Sequence, residues 1–215
     1  MIGDFIFQII EGTKNVDRWQ GKTVVRRTNI AEHMHGVSFI AYILCLLETE
    51  EYGNKVDIEK VVTRSIVHDC PEILTTDLPS GMKRKARIME RAIGIVENKY
   101  YDEEMGALLP KKYDDKFKSM FLDPKEGKET IEGKIIDFAD NLYALLECVM
   151  EIHCGNYRFQ KYLQEVMNTL IKTKLKSGRY ILKYAIPTFG LDLELYGDKY
   201  LEYLKNETIE DIKHN

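Results

Sequence analysis

Proline and glycine are scarce in this chain of 215 residues, at 5 and 14, which excludes collagen-like and low-complexity architectures. Cysteine is scarcer still. Cys45, Cys70, Cys148 and Cys154 form no C-x-x-C pair, so they read as reduced, mostly buried thiols rather than a disulfide framework. No run of 18 consecutive apolar residues occurs, and no membrane span is expected. The opening MIGDFIFQIIEGTKN carries Asp4 and no basic segment ahead of its apolar stretch, which makes a poor signal peptide. A soluble, cytoplasmic protein is the expectation. An excess of one charge sign is missing too: 31 Lys+Arg face 35 Asp+Glu, a net charge of −4. Polynucleotide binders carry a basic face, so no nucleic-acid polymer is expected as partner. A small phosphorylated ligand needs only one or two arginines and stays open.

What the chain has is helical periodicity. Asn29-Ile30-Ala31-Glu32 reads as a capping box, followed by Val37, Ile40, Ala41, Leu44 and Leu47 at helical spacing. Asp57 is placed to cap a helix through Ile58, Val61, Val62, Ser65 and Ile66, disrupted by Pro71. A charged helix is expected over 84–105, a turn around Pro124 and Gly127, and a strongly amphipathic helix over about 129–152. Its stripe is Ile131, Ile135, Phe138, Leu142, Leu145 and Val149. Further helices are expected at 156–175 and 177–189, with a short one near the C-terminus. Thr23-Val24-Val25-Arg26 is the only short candidate for extended structure. With no repeat and no long linker, the chain reads as one all-α domain over 1–215, with a core of about 4–190 and a C-terminal helix and tail over 191–215.

The residues that carry chemistry begin with His68-Asp69, followed at once by Cys70-Pro71-Glu72. An imidazole and a carboxylate adjacent at a turn suit a borderline divalent ion. Alone the pair is ordinary, a histidine near a helix C-terminus beside a solvated aspartate. His33, on the first turn of the Asn29 helix, and Asp137, between Ile136 and Phe138 in the most apolar helix, sharpen the reading. Each has a plain structural alternative: a hydrogen-bonded core histidine, and a salt bridge to a lysine such as Lys134. A carboxylate in an apolar helix must be paired or bound to metal. The remaining histidines fit less well. His35 lies about 200° round the helix from His33, His153 ends its helix, and His214 falls in the tail.

In order and spacing, His33…His68-Asp69…Asp137 resembles the H…HD…D signature of the HD-domain metal-dependent phosphohydrolases. The resemblance is nearest to their YfbR-like 5′-deoxynucleotidase branch. It rests also on Arg18-Trp19, on Arg27-Thr28-Asn29-Ile30-Ala31-Glu32-His33, on the run from His68 to Pro79, and on Asp137-Phe138-Ala139-Asp140. It covers about residues 4–190. The resemblance implies an HD-domain helical bundle with a metal site between helices. His33, His68, Asp69 and Asp137 would hold one divalent ion, Mn²⁺ or Co²⁺, with Zn²⁺, Fe²⁺ or Mg²⁺ also compatible. It implies Glu72 as catalytic acid/base, Arg18 on the substrate phosphate, Trp19 against a ribose 2′-hydroxyl and Asp77 on the 3′-hydroxyl. The activity implied is hydrolysis of deoxyribonucleoside 5′-monophosphates, by a homodimer. Other HD-type reactions (phosphodiester, (p)ppGpp or dNTP hydrolysis) and a non-catalytic nucleotide-binding module are the alternatives. Met34-His35 departs from the small polar residue that close relatives carry after the first ligand histidine. Lys83, Arg84, Lys85 and Arg87 form a basic stretch, read as a solvated helix face.

Overall fold

The computed structural model describes residues 1–77, 87–122 and 129–210. Every regular element among them is helical, as the periodicity predicts: α1 Ile2–Lys14, α2 Ile30–Leu46, α3 Ile58–Ser65, α4 Glu72–Thr75, α5 Arg87–Tyr100, α6 Lys111–Leu122, α7 Ile131–His153, α8 Gln160–Leu170, α9 Lys176–Tyr180 and α10 Asp198–Asn206. The Thr23–Arg26 stretch forms no strand. The extended pairing nearby is an isolated antiparallel bridge between Asp17 and Asn29. The turn at Pro124 and Gly127, the Leu78-Pro79 dipeptide, Lys83, Arg84 and Lys85 of the basic stretch and His214 lie outside the described residues.

By backbone proximity the chain divides into two compact units, Met1–Gly36 with Thr63–Glu126, and Val37–Val62 with Gly127–Asn215. The first has a core of Phe5, Met34, Val67, Cys70, Tyr101, Met105 and Phe121. Each large side chain removed from water there contributes about 1.5–3 kcal/mol. The Phe117 ring meets Phe5 edge-on, with centroids 4.8 Å apart. At Gly12 the backbone of α1 comes so close to α4 that a Cβ would lie 2.7 Å from the Ile73 side chain. That approach fixes the short helix following the His-Asp pair. Two helices here, α1 and α6, are not singled out by the sequence reading. The α6 stretch shows its period only through Tyr113, Phe117 and Met120, spaced at four and three residues among charges.

The second unit is built on α7. Thr130 caps it, its hydroxyl accepting from the Gly133 N–H at 3.0 Å, and Ile135, Ile136, Ala139, Leu145 and Cys148 are wholly buried along it. The stripe expected from the sequence is the buried face, with Ile131 half-buried at its start. α8 buries Leu163, Met167 and Leu170. Beyond α2 the helix loosens into a π turn over Leu47–Glu51. There the buried Glu48 carboxylate accepts from the Ser177 N–H at 2.8 Å and from Asn54 at 2.6 Å. A carboxylate at the first turn of α9 is where the helix dipole favours it. After α10, Glu207 forms a bidentate pair with Arg179, which holds the Glu207 carboxyl down at about 2. Gly190 closes the helical run through Phe189 in the left-handed conformation that glycine adopts without strain.

Ile30–Glu51 is long and apolar enough to cross a bilayer by length and composition. Of its most apolar window 39% is buried, and Ile30, Val37, Ala41 and Cys45 are fully buried along it. The cysteines follow expectation, three buried and Cys154 exposed, none in a disulfide.

Candidate metal centre

Two helix starts and one helix end set the centre in the first unit. Asn29 caps α2, its side-chain oxygen accepting from the Glu32 N–H at 3.0 Å. That places His33 one turn into the helix, wholly buried. His35, two residues on, is exposed, as the helical angle predicts. Met34 packs into the core beside Phe5 and Val67, so the unusual residue after His33 serves packing. Asp57 caps α3 through the Lys60 N–H at 3.0 Å. α3 ends at Ser65, before Pro71, and residues 66–71 turn through successive tight bends.

Within those bends His68 Nδ1 lies 2.8 Å from the Ser65 carbonyl oxygen. A carbonyl only accepts, so Nδ1 carries the proton and Nε2 presents its lone pair, the tautomer of a metal-ligating histidine with a backbone partner. His68 Nε2 is 3.5 Å from Asp69 Oδ1, and His33 Nε2 is 3.4 Å from Asp69 Oδ2. The two imidazoles lie with centroids 5.3 Å apart. Two bonds of about 2.1 Å at a tetrahedral angle separate their donor atoms by about 3.4 Å. Two imidazoles and a carboxylate at that spacing therefore fit one divalent ion in both chemistry and reach. The Cys70 thiol, next in sequence, is wholly buried and pushed up to about 12, by burial first and by the Asp69 carboxylate second.

The Arg18 guanidinium stands against the same carboxylate. Its Nη1 is 3.6 Å from Asp69 Oδ2 and 3.6 Å from Asp77 Oδ1. The Arg18 N–H donates to the Thr28 carbonyl at 2.9 Å, and the Ile30 N–H to the Val16 carbonyl at 3.0 Å. The segment carrying Arg18 is thus bridged to the N-cap of α2. Trp19 donates its backbone N–H to Asp77 Oδ2 at 2.8 Å. Glu72 opens α4, buried, with its N–H on the Asp69 carbonyl at 3.0 Å. Among the described residues two non-glycines adopt positive φ, Trp19 at 58° and Thr76 at 62°. They sit one residue from Arg18 and from Asp77. Backbone strain of this kind gathers at functional sites, and no sequence signal marks it, since neither residue is glycine or asparagine.

The structure thus brings together Arg18, Trp19, His33, His68, Asp69 and Asp77, with Glu72 one turn past Asp69. Asp137 belongs to the second unit. It is half-buried on α7 and lines a cleft of about 390 Å³ with Lys134, Phe138, Asn141 and Leu175. Lys134 makes an ion pair with the exposed Glu129 at 3.8 Å.

Helical scaffold, imidazole–carboxylate cluster and adjoining arginine together define an HD-type metal-dependent phosphohydrolase. Among solved structures the chain is similar to an HD-domain phosphohydrolase from Listeria innocua, with a TM-score of 0.74 at 21% identity, over 93% of this chain and 94% of that one. It is also similar to the cyanophage S-2L HD phosphohydrolase bound to dA and one catalytic Zn²⁺ ion, with a TM-score of 0.53 at 18% identity, over 93% of each. In sequence it is similar to a 5′-deoxynucleotidase of Photorhabdus laumondii, 28% identical over 87% of this chain and 94% of the relative. The profile of the YfbR-like 5′-deoxynucleotidases matches residues 5–189, and the chain belongs to that family.

Proposed function

We propose that the chain hydrolyses deoxyribonucleoside 5′-monophosphates to deoxynucleoside and phosphate at this centre. The observation that carries the proposal is the Arg18 guanidinium, held within 3.6 Å of Asp69 beside two imidazoles. A phosphate dianion approaching that point finds a fixed planar cation. His33, His68 and Asp69 would hold a divalent ion, which would supply Lewis acidity for activating water and phosphate. The chain's own groups do the rest. Arg18 binds and neutralises the phosphate, and Glu72 takes a proton from the attacking water. As the P–O5′ bond breaks and the new P–O bond forms, the departing 5′-oxygen receives that proton. Asp77 accepts from the sugar 3′-hydroxyl. The Trp19 ring leaves a ribose 2′-hydroxyl without a partner, which penalises ribonucleotides.

The last carboxylate of the set comes from α7 in this proposal. Its two candidates are Asp137, the residue of the family signature, and Asp140, three positions on. Asp137 faces the cleft containing Lys134 and Asn141, whereas Asp140 is turned about 60° away along the helix. Asp140→Ala is expected to lower bound metal more than Asp137→Ala does, and the reverse order restores Asp137. The 1–215 chain acts as one functional domain and, in this reading, as a cytoplasmic homodimer. The exposed stripe of Phe39, Tyr42 and Ile43 on α2 supports the dimer, and the mass in solution tests it. Mn²⁺ or Co²⁺ is the proposed activator. The deciding experiment is a panel of dNMPs, NMPs, dNTPs and cyclic nucleotides on wild type and Asp69→Ala, with metal content measured for both. Phosphate release from dNMPs no faster than from NMPs would sink the deoxy-selective reading.

A further inference from the structure

We infer that Asp77 is a positioning residue for the Arg18–Trp19 segment: its carboxylate holds Trp19 in the left-handed conformation and steers the Arg18 guanidinium, a role separate from any contact with the sugar. The inference deepens the proposed function and rests on it for the substrate used below.

Both carboxylate oxygens are engaged by this segment. Oδ2 accepts the Trp19 N–H at 2.8 Å, and Oδ1 lies 3.6 Å from Arg18 Nη1. Trp19 holds φ 58°, a conformation that bulky L residues reach only when their surroundings impose it. Elsewhere the segment is tied through its backbone, Arg18 N–H on the Thr28 carbonyl at 2.9 Å and Lys22 N–H on the Trp19 carbonyl at 3.0 Å. The Trp19 N–H goes to a side chain 58 positions away. Asp77 is brought there by a second left-handed residue, Thr76 at φ 62°, which turns the chain as α4 ends. A β-branched residue in that region is a true outlier. The chain therefore carries strain at 19 and at 76, and one carboxylate joins the two strained points. The ion pair has a second consequence. Arg18 Nη1 is equidistant from Asp69 and Asp77, so removing Asp77 takes away one of two balanced carboxylates and shifts the pull on the guanidinium towards Asp69.

A residue that acts only through the sugar hydroxyl and one that acts through Arg18 and Trp19 differ in what a substrate lacking that hydroxyl reveals. The test compares wild type, Asp77→Ala and Asp77→Asn on a 2′-deoxynucleoside 5′-monophosphate and on its 2′,3′-dideoxy counterpart. Trp19 is the only tryptophan in the chain, so intrinsic emission reads the segment's state without turnover. The expected result for Asp77→Ala is a loss of about tenfold in kcat/KM on the dideoxy substrate, carried mainly by KM, as a weakened phosphate grip requires, and a larger loss on the substrate whose 3′-hydroxyl contact goes as well. The Ala variant's emission should shift to the red and quench faster with acrylamide. Asp77→Asn keeps an oxygen for the Trp19 N–H and should restore wild-type emission. A loss confined to the substrate with a 3′-hydroxyl overturns the inference. So does unchanged emission in the Ala variant, whatever its activity. If wild type releases phosphate from no nucleotide, the proposed function fails while the emission comparison still decides the role of Asp77.

Discussion

The corner from Ser65 to Asp77 and the helix α7 are opposite solutions to placing polar groups in a helical protein. The corner is 13 residues of bends around a helix of one turn, with left-handed backbone at Thr76. It is defined by specific polar contacts: the Ser65 carbonyl on His68, and Asp77 on Trp19 and Arg18. α7 runs 23 residues behind a threonine cap and is defined by a buried stripe from Ile135 to Ile152. Burial gives α7 its stability, and contacts give the corner its shape. The difference predicts that changes in the two regions will be felt in different measurements.

The largest effect is expected at Asp69, which faces both imidazoles and Arg18. Asp69→Ala should cost more than about a hundredfold in activity and most of the bound metal, since even groups that only orient ligands are worth 10–100-fold. The midpoint of denaturant unfolding without metal should stay near wild type. If the metal-free protein loses stability as a core variant does, the corner is held by burial after all and the contrast with α7 disappears.

Ile135→Ala on α7 should do the reverse. Ile135 is wholly buried, and such truncations cost about 2–5 kcal/mol, read as a fall in the urea midpoint at constant slope. Activity per folded molecule, measured at low temperature, should hold. A specific loss of activity beyond the unfolded fraction would mean that the apolar face of α7 also positions chemistry.

Between these extremes lies the Glu207–Arg179 pair of the second unit, where shape depends on a charge contact as in the corner. The folded carboxyl sits at about 2, below its ordinary 4.5, because Arg179 bonds to the charged form. A depressed folded value stabilises the protein above the unfolded value and loses that stabilisation as pH falls from about 4.5 towards 2. Arg179 is partly solvated, so screening reduces the contribution to about 1–2 kcal/mol. Glu207→Gln should flatten the acid limb of the stability curve by that amount and leave its neutral-pH chemistry untouched. An acid limb identical in both proteins would show that the pair adds nothing.

The same contrast governs what is legible in the sequence. α7 is readable from its period because Ile135, Phe138, Leu142 and Val149 face one way for a single reason, burial. The caps at Asn29 and Asp57 are readable because a short polar side chain before an apolar run has few other uses. The His68-Asp69 turn is readable from Pro71, which no helix interior accepts. The backbone of Trp19 and Thr76 is not, since left-handed residues that are neither glycine nor asparagine carry no local signature. The ties from Arg18 to Thr28 and from Trp19 to Asp77 are hidden for a related reason: they join segments 10 and 58 residues apart through groups every residue owns, or through a carboxylate with an ordinary role at a turn. Two helices escape because their apolar residues are diluted by charge, as in Lys111–Leu122, or spread round the helix, as in Ile2–Lys14, where Ile6 and Phe7 stay exposed while Phe5 is buried.

The smallest effect separates the two caps, which are alike as contacts. Asn29 and Asp57 each accept one N–H at 3.0 Å, and removing either should cost about 1 kcal/mol of stability. Their consequences diverge because the helices they start carry different residues in the first turn. His33 stands one turn past Asn29, on a helix start that is also bridged to Asp17. Fraying that turn frees the imidazole, so Asn29→Ala should weaken metal affinity severalfold and Asn29→Ser should restore it. α3 past Asp57 carries none of the site's residues, the next of which is His68 beyond its end, so Asp57→Ala should leave metal affinity at the wild-type value. Calorimetric titration of both variants with Mn²⁺ checks the pair. Equal affinities would show that the first turn of α2 is held by the burial of Ile30 and His33 rather than by its cap, and the corner's rule of shape by polar contact would then stop short of its first histidine.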